Sequence, residues 1–147
     1  MQAVKLFRDD LLIEEDPIRS VMDRRVPWAT HDENFSQQSF GTGPWPDQGW
    51  KLHVSATALS AVEVLEAALD VLLADGARFK VLNSIKLLNA LNSGLFGISQ
   101  IGKFVTVYPS DDSHAVRLAV DLDAVTRGRR GPRVPTDRAL RPGSLVH

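Results

Sequence analysis

Lys51 and His53 stand two residues apart in the run Gln48-Gly49-Trp50-Lys51-Leu52-His53-Val54-Ser55, where apolar Trp50, Leu52 and Val54 alternate with polar Lys51, His53 and Ser55. A period of two is the signature of a strand. Such a strand buries Trp50, Leu52 and Val54 on one face and projects Lys51 and His53 from the other, roughly 6.5 Å apart at Cα. An ammonium beside an imidazole offers a fixed cation next to a titratable acid, the pair needed to handle a phosphate or an enolate. A half-exposed strand with a solvated polar face has the same pattern, so these two residues need support from elsewhere in the chain.

That support comes from two more basic strands. Arg78-Phe79-Lys80-Val81-Leu82 turns Phe79 and Val81 to one side and Arg78 and Lys80 to the other, and Lys103-Phe104-Val105-Thr106-Val107-Tyr108 opens on a lysine. No carboxylate lies beside these cations within the strands. Gathered on one sheet they repel one another unless an anion joins them, and a phosphate-bearing substrate would be that anion. A lysine that sheds its proton there can act as a base, and a neighbouring imidazole can donate a proton to a leaving oxygen.

The elements that must position these groups are readable from hydrophobic period and punctuation. Asp16-Pro17 starts a short helix over 17–24. Residues 31–47, including Gly41-Thr42-Gly43-Pro44-Trp45-Pro46, read as an ordered loop leading into the Lys51 strand. Ser60 and Glu63 form a capping box for a helix in which Val62, Leu65, Leu69, Leu72 and Leu73 trace one face as far as Asp75-Gly76. Asn83-Ser84 caps a second helix carrying Ile85, Leu88 and Leu91 inward to Ser93-Gly94. Asp111, Asp112 and Ser113 start a third, with Ala115, Leu118, Leu122 and Val125 inward until Gly128. Residues 127–143 are then an arginine-rich loop, and Ser144-Leu145-Val146-His147 opens a further strand.

Composition narrows the chemistry. With 147 residues, 44% of them hydrophobic, the chain makes one ordinary globular domain. A formal net charge of -1 lacks the dominant basic field of a nucleic-acid or membrane-surface binder. The chain has no cysteine, which removes thiolate nucleophiles and thiolate-ligated zinc. His31, His53, His114 and His147 are too scattered to suggest a metal site, so no metal or other cofactor is expected. No Gly-x-Ser-x-Gly elbow marks a serine hydrolase, and the glycines at 41 and 43 match neither a dinucleotide nor a phosphate-loop fingerprint. The acidic residues fall mostly at helix starts and on exposed helix faces, which leaves a paired-carboxylate glycosidase with little support. No run approaches membrane-spanning length and no secretory signal is present, so a cytoplasmic protein is expected.

From about Val26 to His147, the segments Gly49-Trp50-Lys51-Leu52-His53-Val54-Ser55, Ala77-Arg78-Phe79-Lys80-Val81-Leu82, Gly97-Ile98-Ser99-Gln100-Ile101-Gly102-Lys103-Phe104 and Pro142-Gly143-Ser144-Leu145-Val146-His147 carry a resemblance. The chain resembles the N-terminal lyase domain of class III and class IV lanthionine synthetases, which is in turn similar to the phosphothreonine lyases of bacterial effectors. The resemblance implies an α+β domain with a twisted, largely antiparallel sheet and packed helices. Residues 1–30 would be a variable N-terminal segment and residues 31–147 a lyase-like domain truncated at its C-terminus. It implies elimination of phosphate from phosphoserine or phosphothreonine of a precursor peptide, giving dehydroalanine or dehydrobutyrine, with kinase-like and cyclase-like domains of the parent synthetase as neighbours.

Residue by residue, the resemblance assigns Lys80 as general base, His53 as general acid and Lys51 as support for the substrate carbonyl as enolate character develops. Gly97 stands where the effectors carry a phosphate-binding arginine, so that role is vacant or passes to Lys103; Arg133 and Arg141 are further candidates for phosphate. Other arginines of the family's phosphate site belong to a strand continuing past His147. The alternative reading is a catalytically incomplete module that binds a phosphopeptide or leader peptide. A degraded reading frame without activity is a third.

Overall fold

A computed structural model describes residues 16–39 and 49–147. Its first helix, α1 (Pro17–Arg25), follows the expectation at Asp16-Pro17: the Asp16 carboxylate accepts the Ile18 N–H at 2.9 Å, with proline in the first turn where a missing N–H costs nothing. The other Asp16 oxygen accepts the Ile85 N–H at 2.7 Å, so one side chain holds the starts of two helices together.

The loop expected over 31–47 is corrected in its first part, where the chain forms a hairpin of β1 (Thr30–His31) and β2 (Phe35–Gln38). The reason is local: Asp32 accepts the N–H groups of Asn34 and Phe35 at 2.8 and 2.7 Å, closing a tight turn. Phe35-Ser36-Gln37-Gln38 is too polar to announce a strand; pairing with the next strand makes it one. Residues 40–47 of that loop lie outside the described residues.

The remaining elements are β3 (Leu52–Val54), α2 (Ala61–Asp75), β4 (Arg78–Leu82), α3 (Ile85–Asn92), β5 (Val105–Tyr108) and α4 (Asp112–Thr126). Ser84 caps α3 by accepting the Leu87 N–H, and Asp111 caps α4 by accepting that of His114. The capping box at Ser60 is not formed. Ser60 sits in a helical conformation, and its hydroxyl donates instead to the Arg130 carbonyl at 2.5 Å, tying α2 to the arginine-rich segment.

The strands form one antiparallel sheet in the order β1-β2-β4-β5-β3, so the fold is α+β. Val54 also bridges Val146, which makes Ser144–His147 an edge addition beside β3, as its sequence suggested. Val81, Val105, Val54 and Val146 align across the sheet, and so do Phe79, Val107 and Leu52. These two buried rows join Ile18 and Met22 of α1, Leu65, Leu69 and Leu72 of α2, and Leu118 and Leu122 of α4 in one core. At about 1.5–3 kcal/mol for each large side chain, this burial is the main driving force holding the sheet to its helices. Among the described residues no helix is long and apolar enough to cross a membrane.

Candidate functional site

Alternation sends the intervening residues to the opposite face of the sheet. There the register places Gln37, Lys80, Thr106 and His53 side by side on β2, β4, β5 and β3. His147 completes the row: it exchanges backbone hydrogen bonds with His53 at 2.8 and 2.9 Å. Lys80 and His53, 27 residues apart in sequence, thus stand on one face separated by the single strand bearing Thr106, roughly 10 Å apart at Cα. In the adjoining row Arg78 lies opposite Tyr108, and the Lys51 Nζ stands 6.0 Å from the centre of the Tyr108 ring.

The strand carrying Lys51 and His53 is shorter than its alternation suggests. Trp50 does not enter the core: it is 58% exposed and its indole N–H donates to Asp112 at 2.6 Å. His53, expected on an open polar face, is 7% exposed, because the segment after α4 folds back across this part of the sheet. Gly131 makes that approach possible, since a Cβ there would lie 2.6 Å from the Ser55 hydroxyl and 2.9 Å from Leu145.

This segment carries the residue that sequence reasoning missed. The Asp137 carboxylate hydrogen-bonds the His53 Nδ1, and its other oxygen lies 4.0 Å from the Lys103 Nζ. Asp137 therefore fixes the ring and leaves Nε2 for chemistry. Burial lowers the His53 pKa below its usual value; the Asp137 hydrogen bond and charge oppose that shift, while the Lys103 and Lys51 charges add to it. Burial pushes the Asp137 carboxyl up, but the His53 bond and the His53 and Lys103 charges hold it below the usual carboxylate value. The one signal in the sequence was that Asp137 is the only acidic residue after Asp123, in a stretch rich in arginine.

A groove of about 860 Å³ opens at the end of this row, lined by Lys51, His53, Lys103, Asp137 and His147 on its polar side and by Trp50, Leu52, Ala115 and Ala119 among its apolar walls. Lys80 is outside that lining and joins the site through the strand register. Its Nζ lies 4.1 Å from the centre of the Phe35 ring, a contact that steadies the amine over the sheet. Among the described residues neither Lys51 nor Lys80 forms a salt bridge within 4.0 Å, although the Lys80 charge is near enough to help lower the Asp32 carboxyl.

The three phosphate candidates separate. Lys103 lines the groove. Arg133 is exposed, next to buried Val134. Arg141 donates to Asp123 at 2.8 Å, and Asp123 also accepts from Ser144 and Arg127, so Arg141 fastens the C-terminal segment to α4. Burial raises the Asp123 carboxyl, and these hydrogen bonds outweigh it and hold the carboxyl below its usual value. The histidines remain apart except for the His53–His147 pair: His31 bonds Ser36 and His114 bonds Asp75. No cluster of three metal-ligating side chains occurs among the described residues.

The model of the family described as RamC, N-terminal domain, matches residues 18–147. The chain belongs to this family. A probable SapB synthase of Streptomyces coelicolor is 37% identical over 100 residues, a stretch covering 68% of this chain and 11% of that protein. The match to the RamC N-terminal domain takes in every described strand, the Asp137 segment and the edge addition at Ser144–His147. The RamC-type chain thus spans a small part of its relative's length.

Proposed function

We propose that this RamC-type domain eliminates phosphate from phosphorylated serine or threonine of a precursor peptide, with phosphothreonine-lyase-like chemistry and without a cofactor. The RamC family match and the SapB synthase relative support a lanthipeptide-synthetase-related domain; the elimination step is the finer reading. The observation that carries it is the row Lys80–Thr106–His53 on one sheet face, with Lys51 one position along β3.

Lys80 Nζ takes the α-proton of the phosphoresidue. The electron pair forms the Cα–Cβ double bond as the Cβ–O bond breaks, and Lys51 supports the carbonyl while negative charge builds on it. The departing phosphate keeps its bridging oxygen, which receives the proton of His53 Nε2. The products are inorganic phosphate and a dehydroalanine or dehydrobutyrine residue. Asp137 holds the imidazole in the orientation and tautomer that this transfer requires. Lys103 binds phosphate oxygens at the groove, and a kinase-like domain of a parent synthetase supplies the phosphorylated peptide that a cyclase-like domain then uses.

The second reading, a module that binds a phosphopeptide or leader peptide without turnover, draws on the thin phosphate site: Gly97 offers no charge and Arg141 is engaged by Asp123. Incubating the chain with a phosphoserine peptide separates the two. Elimination gives equal amounts of inorganic phosphate and dehydroalanine peptide by mass spectrometry; saturable binding with neither product gives the module.

A further inference from the structure

Thr106 lies between the proposed base and acid and has no assigned task. Register places it between Lys80 on β4 and His53 on β3, facing the same side as both. The residue is 6% exposed, and its hydroxyl, which makes no hydrogen bond among the described residues, is not one of the fully buried polar atoms left without a partner, so it keeps access to the surface of this sheet face. Here the backbone ladder already uses the main-chain groups of β5, and the nearest cross-strand side chains are a lysine and an imidazole whose Nδ1 is held by Asp137. The hydroxyl is therefore a donor open to a ligand on the face that carries Lys80 and His53.

We infer that Thr106 is a substrate-contacting residue whose hydroxyl donates a hydrogen bond to a non-bridging phosphate oxygen of the bound phosphoresidue. The inference rests on the elimination reading and adds a neutral donor to its site. The substrate must span the gap between base and acid, with its Cα toward Lys80 and its leaving oxygen toward His53. Thr106 stands beneath that span, where phosphate oxygens come within reach of a short side chain. A neutral donor suits this position: a third cation between Lys80 and His53 would disfavour protonation of the histidine, whereas a hydroxyl contacts the anion without adding charge. Because the contact exists before and during bond cleavage, its loss falls on substrate affinity more than on the chemical step.

Thr106→Val removes the hydroxyl and keeps the shape; Thr106→Ser keeps the hydroxyl. Dissociation constants for a phosphoserine peptide and its unphosphorylated twin, together with kcat and KM for phosphate release, test the inference. The valine variant is expected to bind the phosphopeptide roughly ten- to a hundredfold more weakly, the scale of a hydrogen bond to a charged group, with unphosphorylated binding unchanged. KM rises accordingly, kcat stays near its original value, and the serine variant behaves like the parent. Unchanged phosphopeptide affinity in the valine variant overturns the inference, as does an equal loss in the serine variant, which would mean that the methyl group matters through packing. If the parent chain binds the phosphopeptide but releases no phosphate, the elimination reading fails while the affinities still decide the role of Thr106.

Discussion

At the scale of single residues, the site depends on how the protein holds one imidazole. His53 is buried and its pKa is lowered, so its acid form is lost as pH rises through a range below the ordinary imidazole value of 6.5. The rate of elimination should therefore fall on the alkaline side of that range. Asp137→Asn removes the carboxylate that opposes the shift; we expect the falling limb of the kcat/KM profile to move to lower pH and the maximal rate to drop about ten- to a hundredfold, part of the 10²–10⁴ typical of an acid catalyst. A limb that stays in place would remove Asp137 from the mechanism. As members of the candidate site, Lys51, His53, Lys80 and Lys103 could be picked out in the sequence because cations on alternating strands stand out from their neighbours. Asp137 and Thr106 were not. One acts from a loop 84 residues away from His53, and the other gains its meaning only from a register that no local pattern encodes.

At the scale of elements, period and caps located α1 to α4, β4 and β5, and the polar β1–β2 hairpin was hidden because pairing with β4, not composition, makes it a strand. The arginine-rich segment was legible as a loop but not as a structural member. It is fastened by the Ser60 hydroxyl on the Arg130 carbonyl, by Arg141 on Asp123, and by buried Val134, whose N–H faces the His147 ring at 3.4 Å. Its close passage at Gly131 leaves no room for a side chain. Gly131→Ala should cost about 1–3 kcal/mol, the usual penalty of forcing extra atoms into a packed contact. By lifting the Asp137 segment it should also slow elimination. Urea unfolding and the phosphate-release rate measure the two effects, and a variant as stable and active as the parent would show that the segment yields freely.

At the scale of the whole molecule, five shifted groups set the response to acid. His53 and His147 are lowered chiefly by burial, so folding favours their neutral forms and that stability is lost as pH falls from 6.5 through their folded values. Asp32, Asp123 and Asp137 are also lowered, and their contribution is lost as pH falls below the ordinary value of 3.8. Urea midpoints should decline in two stages on acidification, and Asp123→Asn should weaken the second; a midpoint constant from neutral pH to below 3.8 would contradict this. The same whole-molecule arrangement brings Lys80, His53 and Lys51, the proposed base, acid and carbonyl support, together from segments distant in sequence. The most direct test of that arrangement is dehydroalanine formation from a phosphoserine peptide by the parent chain, Lys80→Ala and His53→Asn. We predict product from the parent and losses of about 10²–10⁴ in each variant, with phosphopeptide binding retained; variants that form the dehydro residue at the parental rate would contradict the assignment.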